Sequence, residues 1–111
     1  MSTKLRVSLG QASLAGEHDT NQDFHGAVLP RGHQLASKGI ALAIADGISS
    51  SAVSQVASQT AVHSFLEDYY ATSEAWSVRR AAERVLSATN GWLYSQTMSC
   101  EGRFEKDRGY V

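Results

Sequence analysis

Two short segments of the chain hold carboxylates in positions that favour metal chemistry. Residues 19–23 (DTNQD) form a polar connection between two predicted strands, and Asp46 and Gly47 end the most apolar segment, residues 39–45. A carboxylate at the edge of a hydrophobic layer needs a partner, and Mg²⁺ or Mn²⁺ takes oxygen ligands from carboxylates, backbone carbonyls and water. Gly47 has no side chain to obstruct its own carbonyl, so this Asp-Gly pair can offer two oxygens to one cation. The pattern therefore indicates a divalent-cation site.

The same residues also have a purely structural interpretation. Asp-Gly is a common turn pair in which the aspartate side chain bonds to its own backbone, and spacing alone leaves both interpretations open. The remaining candidates for chemistry add little, because His18, His25, His33 and His63 lack the spacing of metal ligands. Cys100 is the single cysteine, so it can form neither an internal disulfide nor a thiolate metal site.

Hydrophobic periodicity predicts the elements that would position these side chains. Period-two alternation predicts strands near residues 4–14 and 23–29, and a continuous apolar run predicts a strand near 39–45 that is covered on both faces. The intervening residues, 30–39, carry breakers at both ends and are predicted as a connection. Apolar residues at helical spacing then predict helices near residues 50–70 and 74–98.

The order of three strands followed by two helices is typical of an α+β fold. We expect one antiparallel sheet covered by two antiparallel helices. Serines at 49–51 are candidate caps for the first helix, and Thr72 and Ser73 are predicted to end it and to cap the second. The apolar stripes are predicted to include Val53 and Val56 in the first helix and Val78, Leu86 and Trp92 in the second. The other large aromatic side chains are assigned to the core or its rim: Phe65, Tyr69, Tyr70 and Trp76.

Length and composition exclude several classes of protein. The chain has 111 residues and 12.0 kDa, which allows one small domain. A formal net charge of -1 argues against a broad basic surface for nucleic acid. The N-terminus has no uninterrupted apolar core of the kind found in a secretory signal, and no segment approaches the roughly 20 apolar residues that span a bilayer. With one cysteine, these features predict a cytoplasmic location.

The NQD motif at 21–23 and the ADG motif at 45–47 resemble the first two motifs of the metal-dependent type-2C Ser/Thr protein phosphatases. In that family Arg-x-x-Asn-Glu-Asp ends the first hairpin, and Val-Ala-Asp-Gly ends the next strand. The segments ADGISSSAVSQVAS and FLEDYYATSEAWSV resemble more specifically the phosphatase half of bacterial proteins that join such a phosphatase to a Ser/Thr kinase. The resemblance covers essentially the whole chain and implies a partial α-β-β-α sandwich.

The resemblance also implies a role for each matched residue. Asp46 takes the place of the aspartate that bridges two metal ions, Mg²⁺ or Mn²⁺, and Gly47 that of the glycine whose carbonyl binds the second ion. Asp23 corresponds to the acid that orients metal-bound water. Gln22 replaces a glutamate ligand, and His18 replaces the arginine that holds the substrate phosphate. The implied activity is hydrolysis of phosphoserine and phosphothreonine in a phosphorylated protein substrate.

Two of these matches depart from the family pattern and support an alternative function. Glutamine at position 22 keeps an oxygen ligand but removes a negative charge, which weakens the second metal site. His18 lacks the planar bidentate fork of arginine. The alternative is therefore a catalytically weakened, phosphatase-like module with a regulatory or scaffolding role.

The resemblance further predicts how much of a domain is present. The family's later motifs, which supply the remaining metal-binding aspartates and the second sheet, have no counterpart in residues 1–111. We therefore expect residues 1–111 to be the N-terminal portion of a single phosphatase domain, inactive alone and linked to a kinase domain in the complete protein. Without the second sheet, one apolar face around Ile40, Leu42 and Ile44 should be open, and the chain should self-associate, bind a partner or be only marginally stable.

Overall fold

A computed structural model describes residues 6–17, 21–48 and 53–98 of the chain. Its elements, in chain order, are strand β1 (Asp23–Val28), helix α1 (His33–Lys38), strand β2 (Ala41–Asp46), helix α2 (Ser54–Ala71) and helix α3 (Val78–Thr97). The fold is therefore mixed α+β, with an antiparallel sheet of two strands among the described residues. This confirms the α+β part of the predicted fold class, and residues 22–23 and 46–47 lie at one end of the sheet.

The two strands form a hairpin in which Asp23 pairs with Asp46 at one end and Val28 pairs with Ala41 at the other. Alternate residues point to opposite faces of the sheet. Helix α2 packs on one face, and Gly26 allows its close approach, because a Cβ at that position would lie 2.9 Å from Leu66 Cδ1. The opposite face, which carries Leu42 and Ile44, is called the outer face below.

The hydrophobic core lies between the hairpin, α2 and α3. Helix α2 contacts both strands, whereas α3 packs chiefly against α2. The two helices are antiparallel, since Leu93 lines a cavity with Ala57 near the start of α2 and Val85 lines another with Ala71 at its end. The prediction of two antiparallel helices is confirmed, but only α2 covers the sheet extensively. The buried apolar residues are Ala57, Val62, Leu66, Tyr69, Ala81, Val85 and Leu93.

The strand predicted near residues 4–14 is wrong over its described part, because residues 6–14 form no strand. Their alternating apolar side chains lie beside the outer face, where residues 9–13 line a cavity of about 350 Å³ together with Leu42 and Ile44. The backbone amide of Asp23 instead donates to the Asn21 side chain at 3.1 Å, and the Asn21 amide group donates to Ser13 at 2.8 Å. At this end of β1, hydrogen bonds through the Asn21 side chain therefore replace the backbone hydrogen bonds that a third strand would make.

The predicted connection at 30–39 contains a short helix, α1. It was not predicted, because helix-breaking residues occur at both ends of this segment. Gly32 and Gly39 adopt positive φ angles of 61° and 74° and bound the helix. A helix of six residues is marginal by itself, and tertiary contacts hold this one. Lys38, 4% exposed, donates through Nζ to the carbonyl of Ser73 at 2.8 Å, and its own carbonyl accepts from the Tyr69 hydroxyl at 2.6 Å.

The two predicted helices are both present, as α2 and α3, but their ends differ from the prediction. Helix α2 ends at the C-cap Thr72, as predicted, whereas α3 is capped by Ser77, which accepts from the amide of Arg80, and not by Ser73. The proposed serine caps at 49–51 lie outside the described residues. The predicted stripes are partly wrong, because these side chains are about half exposed: Val56, Val78, Leu86 and Trp92.

Strand β2 is covered on one face only, which corrects the expectation of cover on both. Ala41, Ala43 and Ala45 face α2, whereas Leu42 is 62% and Ile44 84% exposed. Small side chains on the helix side allow α2 to lie close, and the large apolar ones are left on the outer face. This arrangement agrees with the expectation of an open apolar surface.

We expect the outer face to drive self-association. The apparent mass of the 111-residue chain should rise above 12.0 kDa with concentration, and Ile44→Glu should lower it, because a charge at an exposed apolar position disfavours burial between copies. Val78→Glu, which changes an exposed valine at the start of α3, is the control. Sedimentation equilibrium measures the mass. A wild-type chain that stays monomeric at high concentration, melts cooperatively and binds no hydrophobic dye would contradict the expectation.

Candidate metal centre

Asp23 and Asp46 lie directly opposite each other on neighbouring strands, at the end of the hairpin. The Gly47 amide donates to the Gln22 carbonyl at 3.1 Å, so residues 22 and 47 form a hydrogen-bonded pair just beyond the strands. Because the two kinds of pair alternate along an antiparallel ladder, Asp23 and Asp46 form a non-hydrogen-bonded pair, the kind whose Cα atoms approach to about 4.5 Å. Both side chains are exposed. These two residues are called the carboxylate pair below.

The electrostatics of the carboxylate pair are unfavourable when both groups are ionised. A side-chain hydrogen bond to Asp23, the negative charge of Asp23 and partial desolvation together raise the pKa of Asp46 above its ordinary value of 3.8. Two carboxylates that share one site favour a state in which one of them keeps a proton. A cation placed between them would relieve the same repulsion, so the pair has the electrostatic character of a cation site.

The raised pKa of Asp46 predicts how stability depends on pH. A carboxyl group whose pKa is higher in the folded than in the unfolded chain contributes stability below the unfolded value, and this contribution is lost as the pH rises through the folded value. The metal-free wild type should therefore lose stability relative to Asp46→Asn between about pH 4 and about pH 7. Urea unfolding at both pH values measures this, with Asp68→Asn as the matched control.

The prediction is contradicted if the free energies of unfolding of wild type and Asp46→Asn differ by the same amount at both pH values. A stability loss in Asp46→Asn at neutral pH would instead support the turn interpretation, in which the aspartate side chain stabilises the Asp-Gly turn.

The backbone on either side of the carboxylate pair is tightly packed. A Cβ on Gly47 would lie 2.5 Å from the Gln22 carbonyl oxygen, 2.8 Å from Ser54 Cβ and 3.0 Å from Gln22 Cβ. No side chain fits in this space without displacing backbone, so only glycine allows the Gln22 and Gly47 segments to touch. The glycine identified in the sequence for its accessible carbonyl thus has a packing role that the structure adds.

Two buried serines of α2 hold these segments, and the sequence analysis did not identify them. Ser58 donates through its hydroxyl to the Gln22 carbonyl, and Ser54 donates to the Ile48 carbonyl. Their exposures are 3% and 1%. Their spacing of four residues, at the start of the helix that follows the Asp-Gly segment, is the available signal, since residues i and i+4 share a helix face. A hydrophobic periodicity search overlooks it because serine is not apolar.

The structure brings together four of the five residues singled out as candidates: Asp23, Asp46, Gly47 and Gln22. The fifth, His18, lies outside the described residues. The oxygen donors of the four suit a hard divalent cation. Within residues 6–17, 21–48 and 53–98, however, no group of three or more His, Cys, Asp or Glu side chains is placed to bind a metal. The described donors therefore fit part of a coordination sphere, whose remaining positions would fall to water or further ligands.

A small cavity of about 220 Å³ adjoins the Asp46 end of β2 and reaches into the helix layer. Besides Asp46 and Gly47, its lining consists of Ala45, Ile48, Ala57, Ser58, Ala61 and Leu93. A larger groove, of about 430 Å³, runs between β1 and α2 and includes His63 and Tyr70 but neither carboxylate. The apolar walls of the small cavity place the carboxylate pair at the boundary between core and solvent.

Comparisons of this chain with protein families, curated proteins and solved structures found no match. Among the described helices, none combines the length and apolar character required to cross a bilayer.

Proposed function

We propose that this chain forms part of a metal-dependent protein phosphatase that hydrolyses phosphoserine and phosphothreonine in protein substrates in the cytoplasm. The observation that carries the proposal is the carboxylate pair, two acids directly opposed at a strand end beside a glycine that nothing larger could replace. The resemblance of the NQD and ADG motifs to type-2C phosphatases assigns Asp46 and Gly47 to metal binding and Asp23 to the orientation of metal-bound water. Motif and geometry thus agree on one location, although they are independent arguments.

Each residue of the site has a distinct task in this proposal. The Asp46 carboxylate and the Gly47 carbonyl hold the cations, and the Gln22 side-chain oxygen adds a neutral ligand. Asp23, directly opposite Asp46, orients a water molecule and accepts its hydrogen bond. His18 contacts the substrate phosphate. When bound, Mg²⁺ or Mn²⁺ neutralises charge on the phosphate and makes a water molecule more acidic.

The complete catalytic domain needs more carboxylates than the described residues bring together. Asp23 and Asp46 supply two negative charges, fewer than two divalent cations require for tight binding. The proposal therefore assigns further aspartates to the rest of the phosphatase domain, and it expects the 111-residue chain to bind a cation weakly and to be inactive alone. It also expects a covalently linked kinase domain in the complete protein.

A second candidate function, a regulatory or scaffolding module, is favoured by one observation. Within the described residues, only two carboxylates meet at the site, and a neutral glutamine stands beside them. The two functions differ in the aspartates that follow residue 111 in the complete protein and in its activity. Phosphate release from a phosphothreonine peptide, with Mn²⁺ and again with chelator, supports the enzyme if it is metal-dependent. Release that is absent under both conditions supports the module.

Restoring a carboxylate at position 22 should strengthen the site. Gln22→Glu should tighten Mn²⁺ binding, because a third negative charge next to the carboxylate pair increases the attraction for a divalent cation. Calorimetric titration with Mn²⁺ measures this, and Gln34→Glu makes the same change in α1, beyond the other end of the hairpin. Equal affinities in wild type and Gln22→Glu would contradict the placement of Gln22 at the metal.

A further inference from the structure

We propose that Ser54 and Ser58 of α2, called the serine pair below, position the two metal-binding segments relative to each other. This inference rests on the proposed metal site. It concerns residues that neither the motifs nor the resemblance assigns to any role. The serine pair binds no cation itself and acts through the backbone of the ligand segments.

The hydrogen bonds of the serine pair reach both segments, one at the proposed ligand Gln22 and the other at the residue after the proposed ligand Gly47. Ser58 donates to the carbonyl of Gln22, which directly precedes Asp23. Ser54 donates to the carbonyl of Ile48, which directly follows Gly47. One helix face therefore binds the backbone before the first acid and the backbone after the second. The separation of the two segments is set by α2 as well as by the strand ladder.

The Gln22 carbonyl is the point where these restraints meet. It accepts from the Gly47 amide as well as from the Ser58 hydroxyl, so one oxygen joins the first segment to the second and both to α2. The Ser54 Cβ also lies where a side chain on Gly47 would have to be. Removal of a serine hydroxyl leaves the strand register intact but frees one segment from the helix.

Burial explains why hydroxyls serve here and why their loss matters. Both serines are almost fully enclosed, at 1% and 3% exposure. Loss of the Ser58 hydroxyl leaves the Gln22 carbonyl with the Gly47 amide as its donor, and loss of the Ser54 hydroxyl removes a donor to the Ile48 carbonyl. In either case one segment loses its hydrogen bond to α2 and can shift relative to the other segment. Carboxylates must hold a narrow geometry to share a cation, and outer partners of metal ligands commonly change affinity by about 10- to 100-fold. We therefore expect loss of a serine hydroxyl to lower Mn²⁺ affinity more than a substitution elsewhere that lowers the free energy of unfolding to the same extent.

The test measures Mn²⁺ affinity and stability separately on the full 111-residue chain. Free Mn²⁺ is followed by electron paramagnetic resonance, and the free energy of unfolding is measured in urea. The variants are Ser58→Ala, which removes the hydroxyl, and Ser58→Thr, which keeps it. Ser64→Ala makes the same truncation farther along α2, and Val85→Ala destabilises the core from α3 without altering either segment.

We expect Ser58→Ala to bind Mn²⁺ about tenfold more weakly or worse, while Ser64→Ala and Val85→Ala retain wild-type affinity and Ser58→Thr recovers most of it. If Ser58→Thr does not fold, Ser54→Ala supplies the second variant and should also weaken binding. Wild-type affinity in Ser58→Ala, or an equal loss in Val85→Ala, overturns the inference while leaving the metal site standing. A wild-type chain that binds no Mn²⁺, or binds it as well after Asp46→Asn, overturns the metal site and the inference together.

Discussion

Replacing Asp46 with asparagine should abolish metal-dependent hydrolysis of a phosphothreonine peptide by the complete protein. Asp46 is the residue that the proposal places between both cations, and an amide in its place removes the charge that holds them. Hydrolysis should fall to the level measured with chelator, and Mn²⁺ binding followed by calorimetry should be lost in parallel. The hydrogen bond to Asp23 and then the negative charge of Asp23 raise the pKa of Asp46. The fold should persist, because asparagine can still donate a hydrogen bond to Asp23 and has no charge to repel it.

The matched control for this substitution is Asp68→Asn, on an exposed part of α2. It makes the same chemical change away from the carboxylate pair and should leave Mn²⁺ binding and hydrolysis unaltered. If Asp46→Asn binds Mn²⁺ and turns over like wild type, Asp46 is not a ligand, and the phosphatase proposal loses its central residue. The Asp-Gly segment would then be a structural turn.

The second large effect is expected at Gly47, where an added methyl group has no space. Gly47→Ala should destabilise the chain by about 1–3 kcal/mol or more, since overpacking against backbone cannot be relieved by rotating a side chain. The contacts it would force are with the Gln22 carbonyl oxygen at 2.5 Å and Ser54 Cβ at 2.8 Å. Urea unfolding measures the loss, and Mn²⁺ titration of the remaining folded chain should show weaker binding as well.

Gly91→Ala is a control substitution that should change the free energy of unfolding in the opposite direction. Gly91 lies inside α3, and apart from its chain neighbours and the adjacent helix backbone no described heavy atom lies within 4 Å of a Cβ built there. Gly91→Ala should therefore stabilise the chain by about 0.5–1 kcal/mol, because alanine has less backbone freedom to lose in a helix. A Gly47→Ala variant as stable as wild type would show that the Gln22 and Gly47 segments can separate freely, against the packing described for them.

The sequence predicts the longer elements of this fold better than the short ones. Both long helices appear near their predicted positions, because apolar residues that become buried recur at helical spacing in each, Val62 and Leu66 in α2 and Ala81 and Val85 in α3. Helix α1 was missed, since six residues between two glycines offer too few turns for a periodic signal. Its stability comes from Lys38 and Tyr69, whose contacts lie 31 or more residues away in the chain, and local pattern cannot report such partners.

The sequence predicts which residues form the candidate site but not how they are arranged or what holds them. The motifs identified Asp23, Asp46 and Gly47, and the structure brings them to one end of the hairpin. The direct opposition of the two acids depends on strand register, which a one-residue slip would abolish. The serine pair could not be found from apolar spacing, because its contribution comes from hydroxyl groups that donate to distant backbone carbonyls.

The hydroxyls of Tyr69 and Tyr70 also join the last turn of α2 to the backbone that enters β2. They donate to the carbonyls of Lys38 and Gly39, at the point where α1 passes into β2, at 2.6 and 2.7 Å. Each bond closes a loop of about 31 residues, and that closure carries an entropic cost before any contact compensates it. A two-stranded hairpin alone is at best marginally stable. We therefore expect β1 and β2 to gain their full stability only when the last turn of α2 is present to make these bonds.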